Sequence, residues 1–240
     1  MFDHVGVRVA DRDASRRFYD TVLATLGRSG RYVELYDEWD DFAIGPVATE
    51  HPLTRRLHVA FVARSRAEVE AFWQAGVDAG YESDGEPGPR PEYHANYYGG
   101  FLLDPDGNSA EAVYHGRPRR GEFIIDHLWL RVADPQASRR FYQAIAPVLG
   151  LRVGEDRWGV DIAAEDRSVT LLSGEPTRNV HIAFPVADDE IVREFHRVAT
   201  AAGYRDNGEP GERPIYHPGY YGAFVLDPDG NNIEAVNHNR

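Results

Sequence analysis

The sequence predicts an α+β fold built as two similar halves in tandem, each made of two βαβββ modules. Three observations predict it. Residues recur at a domain-sized offset of 123: His4 as His127, Phe18-Tyr19 as Phe141-Tyr142, His58 as His181, His94 as His217 and Glu111 as Glu234. Within each half, short alternating apolar runs give way to helix-period runs, twice over. A strand–turn–strand signature, Phe101 to Glu111, returns as Phe224 to Glu234. In that turn Pro105 pre-sets φ, and Gly107 supplies the left-handed position that closes the hairpin.

The first module opens with a strand over 3–9, Val5, Val7 and Val9 facing one way and His4, Gly6 and Arg8 the other. Asp11 or Asp13 caps a helix whose inner face is Phe18, Val22, Leu23 and Leu26, stopped by Gly27. Strands follow around 31–36 and 41–44. The plan restarts with a strand over 57–62, a capping box at Ser65 and Glu68, and a helix with Val69, Phe72, Trp73 and Val77 inward, ending at Gly80. Strands near Tyr81, over 101–103 and over 110–114 complete the half. The proline-rich stretches 85–91 and 208–214 read as loops, either connectors or lids.

In the second half a strand over 126–132 precedes Asp134-Pro135, a cap with proline at the first helical position. Pro147 is expected to end or kink that helix early. Asp188 or Asp189 caps the next helix, with Val192, Phe195, Val198 and Ala202 inward and Gly203 as its stop. The run Gly116 to Gly121 is polar and rich in breakers. The boundaries expected are therefore 1–116 and 123–240, joined by a linker at 117–122.

Composition narrows the function. Net charge is −13, and the 26 basic residues are all arginine, which weighs against non-specific nucleic-acid binding. No cysteine is present, so disulfides and thiolate metal sites are excluded. No apolar run approaches membrane-spanning length, and Met1 to Val5 lacks the regions of a signal peptide. The expectation is a cytoplasmic protein acting on a small molecule, without nucleic-acid or membrane partners. It would be a monomer of two fused halves or a homodimer.

Two trios carry the chemistry: His4, His58 and Glu111, and their copies His127, His181 and Glu234. The histidines open the first strand of each module, and the glutamate lies on the last. Two neutral imidazoles and a carboxylate suit a borderline divalent ion, iron(II), manganese, nickel or zinc, with positions left for water and substrate. Grouping stays open. Each half can close its own site, or His4 can join His181 and Glu234 while His127 joins His58 and Glu111. His94 and His217 are candidate acid–base groups alongside Glu111 and Glu234. Tyr97, Tyr98, Tyr220, Tyr221, Arg8 and Arg131 are candidate substrate contacts.

The runs His4 to Val9, Asp11 to Tyr19, His58 to Phe61, Tyr93 to Gly99 and Asp104 to Glu111 resemble the vicinal oxygen chelate superfamily. That superfamily includes glyoxalase I, bleomycin resistance proteins, fosfomycin resistance enzymes and extradiol dioxygenases. The resemblance implies paired modules forming a cupped mixed sheet, helices outside, around a metal that chelates two adjacent substrate oxygens. It implies a glyoxalase-like lyase or isomerase. The alternatives are an extradiol ring-cleaving dioxygenase and a non-enzymatic sequestering protein of the bleomycin-resistance kind. The chain departs from each. A fourth, glyoxalase-type carboxylate is missing from 42–45 and 169–173, leaving only Asp40, Asp41, Glu50 and Glu175 nearby. Phe101 and Phe224 stand where extradiol enzymes usually carry tyrosine. Basic groups for a phosphonate could come only from arginines such as Arg8, Arg90, Arg131 and Arg213.

Overall fold

A computed structural model describes residues 1–119, 123–164 and 167–239. The joint expected at 117–122 falls partly, at 120–122, outside the described residues. The chain forms two compact units: an N-terminal unit, Val7–Leu128, and a C-terminal unit, Trp129–Arg240 together with Met1–Gly6. Among the described residues no helix is long and apolar enough to cross a membrane.

The N-terminal unit runs α1 (Arg12–Ala24), β2 (Arg31–Tyr32), β3 (Asp37–Trp39), β4 (Phe42–Pro46), β5 (Leu57–Val62), α2 (Arg66–Asp78), β6 (Ser83–Pro89), β7 (Tyr98–Leu103) and β8 (Ser109–Tyr114). It also holds the end of β1 (His4–Val9) and the start of β9 (Ile125–Val132). Strand order is β6-β7-β8-β5-β9 on one sheet segment and β1-β4-β3-β2 on the other. Only β5 and β8 are parallel among the registers given for this unit, so the sheet is mixed. Asp11 caps α1, taking the Ala14 N–H at 2.9 Å. Ser65 caps α2. The Glu68 carboxylate there accepts from Arg64 N–H at 2.7 Å, one residue before the position a capping box uses. Phe18, Tyr19, Trp39, Phe42, Phe61 and Phe72 are fully buried. Each such ring contributes about 1.5–3 kcal/mol.

The C-terminal unit repeats the plan with α3 (Pro135–Leu149), β10 (Arg152–Glu155), β11 (Val160–Ala164), β12 (Arg167–Ser173), β13 (His181–Pro185), α4 (Asp189–Ala201), β14 (Asp206–Glu212), β15 (Tyr221–Leu226) and β16 (Asn232–Asn237). Its segments are β14-β15-β16-β13-β1 and β10-β11-β12-β9. Here β13 and β16 are the parallel pair. Asp188 caps α4. Val192, Phe195 and Ala199 are its buried residues, whereas Ala202, expected inward, is exposed beyond its end.

Four local expectations are corrected. The strand expected over 31–36 is only two residues long, and β3 at 37–39 takes over the pairing. Pro147 does not end α3, which continues to Leu149 and stops at left-handed Gly150, φ 65°. A proline in the last turn removes only one hydrogen bond. The stretches 85–91 and 208–214 are mostly strand, as β6 and β14, with register shifts. Proline is tolerated there because both strands lie at a sheet edge.

Candidate metal centres

In the N-terminal unit the site is built on the parallel pair. Asp104 Oδ1 accepts from the N–H groups of Asp106 and Asn108, and Gly107 takes φ 81°, which fixes the turn. Asn108 Oδ1 then accepts from Leu57 N–H at 3.1 Å and pins the turn to the start of β5. The register follows: His58 lies opposite Ser109, and Ala60 opposite Glu111. Side chains of alternate residues share a face, so His58 and Glu111 meet. Gly99 on β7 lets Glu111 lie flat, because a Cβ there would collide with Glu111 Oε1. The buried Tyr97 hydroxyl donates to Oε1 at 2.7 Å. Burial first, then the Glu111 charge, pushes the Tyr97 phenol well above its ordinary range, so it stays a donor. Oε2 is thereby turned toward His58 Nε2 at 3.0 Å and His127 Nε2 at 3.7 Å.

The C-terminal unit reproduces this atom for atom. Asn231 Oδ1 holds Val180 N–H, and β13 and β16 place His181 opposite Asn232 and Ala183 opposite Glu234. Tyr220 donates to Glu234 Oε1 at 2.8 Å, and Gly222 leaves room for it. Glu234 Oε2 faces His181 Nε2 at 3.0 Å and His4 Nε2 at 3.8 Å, and the two Nε2 atoms are 3.0 Å apart. His4 arrives because β1 pairs antiparallel with β13, His4 opposite Ala183.

The six residues therefore form two groups, His4 with His181 and Glu234, and His58 with Glu111 and His127. This is the second of the two groupings that the sequence leaves open. The donor sets fit a divalent ion. Ligand bonds near 2.1 Å imply ligand–ligand separations of about 3.0–3.5 Å, close to those seen. Glu234 Oε2 is buried and accepts no hydrogen bond among the described residues, although His181 Nε2 is near. Its lone pair aims at the shared centre.

An outer layer orients the first-strand histidines. His127 Nδ1 donates to Asp126 at 2.8 Å and His4 Nδ1 to Asp3 at 2.8 Å, leaving Nε2 directed at the centre. His115 Nε2 donates to Asp126, and His238 Nε2 to Asp3. Burial alone would raise the Asp126 carboxyl, but hydrogen bonds from His115 and His127 hold it far below its usual range. Asp3 is lowered in the same way, burial being outweighed by His4 and His238. Sequence reading missed Asp3, Asp126, His115 and His238. Their signal was present, because Asp3 and Asp126, like His115 and His238, stand 123 apart.

The other candidates are placed as follows. Tyr97 and Tyr220 bind the glutamates. Tyr98 and Tyr221 point instead to the helices, where Tyr98 donates to Glu70 and Tyr221 meets Arg193. His94 and His217 bond to His115 and His238 and reach the ligand histidines only through Asp126 and Asp3. The Arg8 guanidinium lies against Gly45, and exposed Arg131 lies along Gly174. Of the acidic residues considered as a fourth ligand, Asp41 accepts from Ile124 and Ile125 N–H, and Asp40 pairs with Arg28.

A tandem βαβββ architecture with a paired histidine–glutamate triad in each unit defines a vicinal-oxygen-chelate type of protein. The chain matches the Glyoxalase/Bleomycin resistance protein/Dioxygenase superfamily over residues 1–112 and 124–235, and it belongs to that family. Glyoxalase I from Zea mays is similar in fold, with a TM-score of 0.68 at 20% identity, covering 99% of this chain and 92% of that one. A putative dioxygenase from Bacillus subtilis gives 0.66 at 16% identity, covering 100% and 85%. No curated protein matches the chain.

Proposed function

We propose that the protein is a divalent-metal-dependent, glyoxalase-like enzyme of the lyase or isomerase kind, acting on a small substrate through two adjacent oxygens. One observation carries this reading. Each unit turns two imidazole Nε2 atoms and one carboxylate oxygen on a common point, while a buried tyrosine pins the other oxygen. A bound divalent ion would supply Lewis acidity, stabilising negative charge that develops on a substrate oxygen. His58, Glu111 and His127, and His4, His181 and Glu234, would hold it. Glu111 and Glu234 serve as ligands in this reading, because the tyrosines already occupy Oε1 and the centre takes Oε2. Asp126 and Asp3 keep the imidazole proton on Nδ1 of His127 and His4. Keeping two buried carboxylates among imidazoles is costly without a cation, which weighs against a metal-free sequestering role.

Metal analysis tests the proposal. Purified protein reloaded with divalent metal is expected to hold two equivalents, falling to one in Glu111→Ala or Glu234→Ala and to none in the double variant. Unchanged metal content in the double variant would reject it. A second reading, oxygen-dependent ring cleavage of a catechol, is favoured by the three-ligand set of two histidines and one carboxylate, which suits iron(II) and leaves positions for oxygen. Oxygen uptake with catechol, set against isomerisation of a 2-oxoaldehyde–thiol adduct, separates the two.

A further inference from the structure

The two triads differ in what stands behind their second histidine. In the N-terminal unit His58 Nδ1 lies 3.1 Å from Ser109 Oγ, and Ser109 Oγ donates its one proton to Asp84 Oδ2 at 2.7 Å. What Ser109 offers His58 is therefore a lone pair. The ring proton is held on Nδ1, so Nε2 and Glu111 Oε2, 3.0 Å apart, face each other with lone pairs that a cation between them would satisfy. The arrangement ends in a carboxylate, which raises the basicity of the ligand ring. In the C-terminal unit the equivalent positions, 123 further on, are Asn232 and Asn207. Asn207 Nδ2 donates to Asn232 Oδ1 at 3.0 Å, so Asn232 presents its NH2 group to His181 Nδ1 at 2.8 Å. That places the His181 proton on Nε2, the atom that faces His4 and Glu234. A cation there must displace this proton, and both amides must turn over for Asn232 to accept from Nδ1. No carboxylate backs the chain. Burial of the first-strand ligand points the same way, with the His127 side chain 8% exposed and His4 28%.

We infer that the two metal centres are unequal, the His58–Glu111–His127 centre binding its divalent ion more tightly, with Asp84 and Ser109 as the positioning residues responsible. This rests on the metal-binding reading above. Outer partners of metal-bound histidines are worth about 10–100-fold in affinity, and exposed Asp84 belongs at the lower end, so the constants should differ by about tenfold.

Calorimetric titration of the metal-free full chain with cobalt(II), followed in parallel by its visible absorption, tests this. Two binding classes are expected, the tighter lost in Glu111→Ala and kept in Glu234→Ala. The exchange Asn207→Asp/Asn232→Ser should tighten the weaker class by about tenfold. Asp84→Asn/Ser109→Asn should weaken the tighter class until the two merge. The single change Asp84→Asn, at an exposed position, provides the same comparison if the double variant does not fold. A gain of affinity in the first exchange is something that a purely structural role could not produce. Equal constants in the native protein, a tighter class assigned to Glu234, or a folded Asn207→Asp/Asn232→Ser variant with unchanged constants would each overturn the inference and leave the metal reading standing. Absence of cobalt binding at both centres would remove both.

Discussion

The N- and C-terminal units place the same three donor atoms with the same tools, yet they set protons and charges around them differently. The tools that make atoms converge are duplicated: Gly99 and Gly222, Tyr97 and Tyr220, Asn108 and Asn231, Asp126 and Asp3. The residues that decide polarity have drifted, Ser109 against Asn232 and Asp84 against Asn207, and among the described residues the Tyr19–Asp104 bond has no counterpart between the identical Tyr142 and Asp227. Geometry is kept in both units because a displaced carboxylate no longer reaches the centre. A proton can move without displacing a heavy atom, so its determinants can change while the fold stays.

The largest expected effect breaks the shared part. Gly99→Ala drives a methyl into Glu111 Oε1, and Gly222→Ala does the same to Glu234. Each should abolish one bound metal equivalent and destabilise its unit by about 1–3 kcal/mol through overpacking. Metal stoichiometry and urea unfolding of the two variants check it. Equal losses in both would show that this element is common. Retention of both equivalents would show that the carboxylate has another way in.

Next comes a pH effect that burial produces at both Asp104 and Asp227 and that is the larger in the C-terminal unit. Burial, helped by the nearby Asp229 charge, pushes the Asp227 carboxyl up to about 6 against the hydrogen bonds of Asn231 and Asp229 that favour its ionised form. A raised folded-state pKa means that the folded protein keeps this proton between about pH 4 and 6 while the unfolded chain loses it. The contribution is fully present below pH 4 and is lost as pH rises through 6, on the order of 3 kcal/mol in all. Carboxyl-carbon NMR should show Asp227 titrating near 6. Unfolding of the C-terminal unit should ease over that interval relative to Asp227→Asn. A midpoint in the ordinary carboxylate range would show that the buried turn is better solvated than its surroundings imply.

A smaller effect sets the two helix tyrosines against each other. The Tyr19 hydroxyl donates to buried Asp104 at 3.0 Å, whereas Tyr142 has no hydrogen-bond partner among the described residues. Tyr19→Phe should cost about 1–3 kcal/mol, and Tyr142→Phe should be neutral or mildly stabilising. Thermal unfolding of both variants decides this. Equal losses would mean that ring packing, not the hydroxyl, governs both positions.

Much of this was legible in the sequence, and the reason is the repeat. An alternating run with His4 opposite three valines can only be a half-buried strand, and a 123-residue echo of His58 and Glu111 singles out residues that local propensity cannot rank. The grouping of the triads was not legible, because it depends on which strands are neighbours, β1 with β13 and β9 with β5, and alternation is blind to partners. Edge strands β6 and β14 were hidden by their prolines. Asp84 and Ser109 carried no such signal, because they are positions where the halves differ.

The smallest effect lies at the outer ends of the two histidine chains. In the N-terminal unit Asn96 N–H donates to His94 Nδ1 at 3.1 Å, so the His94 proton sits on Nε2 and points to His115 Nδ1, 2.6 Å away. Burial first, then the His115 and Arg119 charges, lower the His94 pKa and keep the ring neutral. In the C-terminal unit the residue 123 beyond Asn96 is Gly219, and His217 Nδ1 donates instead to the Pro218 carbonyl at 2.8 Å. Its proton points outward, and Nε2 offers a lone pair to His238 Nδ1 at 2.8 Å. One loop thus feeds a hydrogen toward the aspartate, and the other turns its own histidine proton outward. Each ring stands three hydrogen bonds from a ligand histidine, and polarisation fades along such a chain. His94→Gln and His217→Gln should therefore change cobalt(II) affinity by about threefold or less, the former more, because only His94 reinforces the donation that orients His127. Site-resolved titration of the two variants measures it. A tenfold loss from His217→Gln would reverse the order and assign the outward-pointing chain a larger part in holding His4 than its polarity predicts.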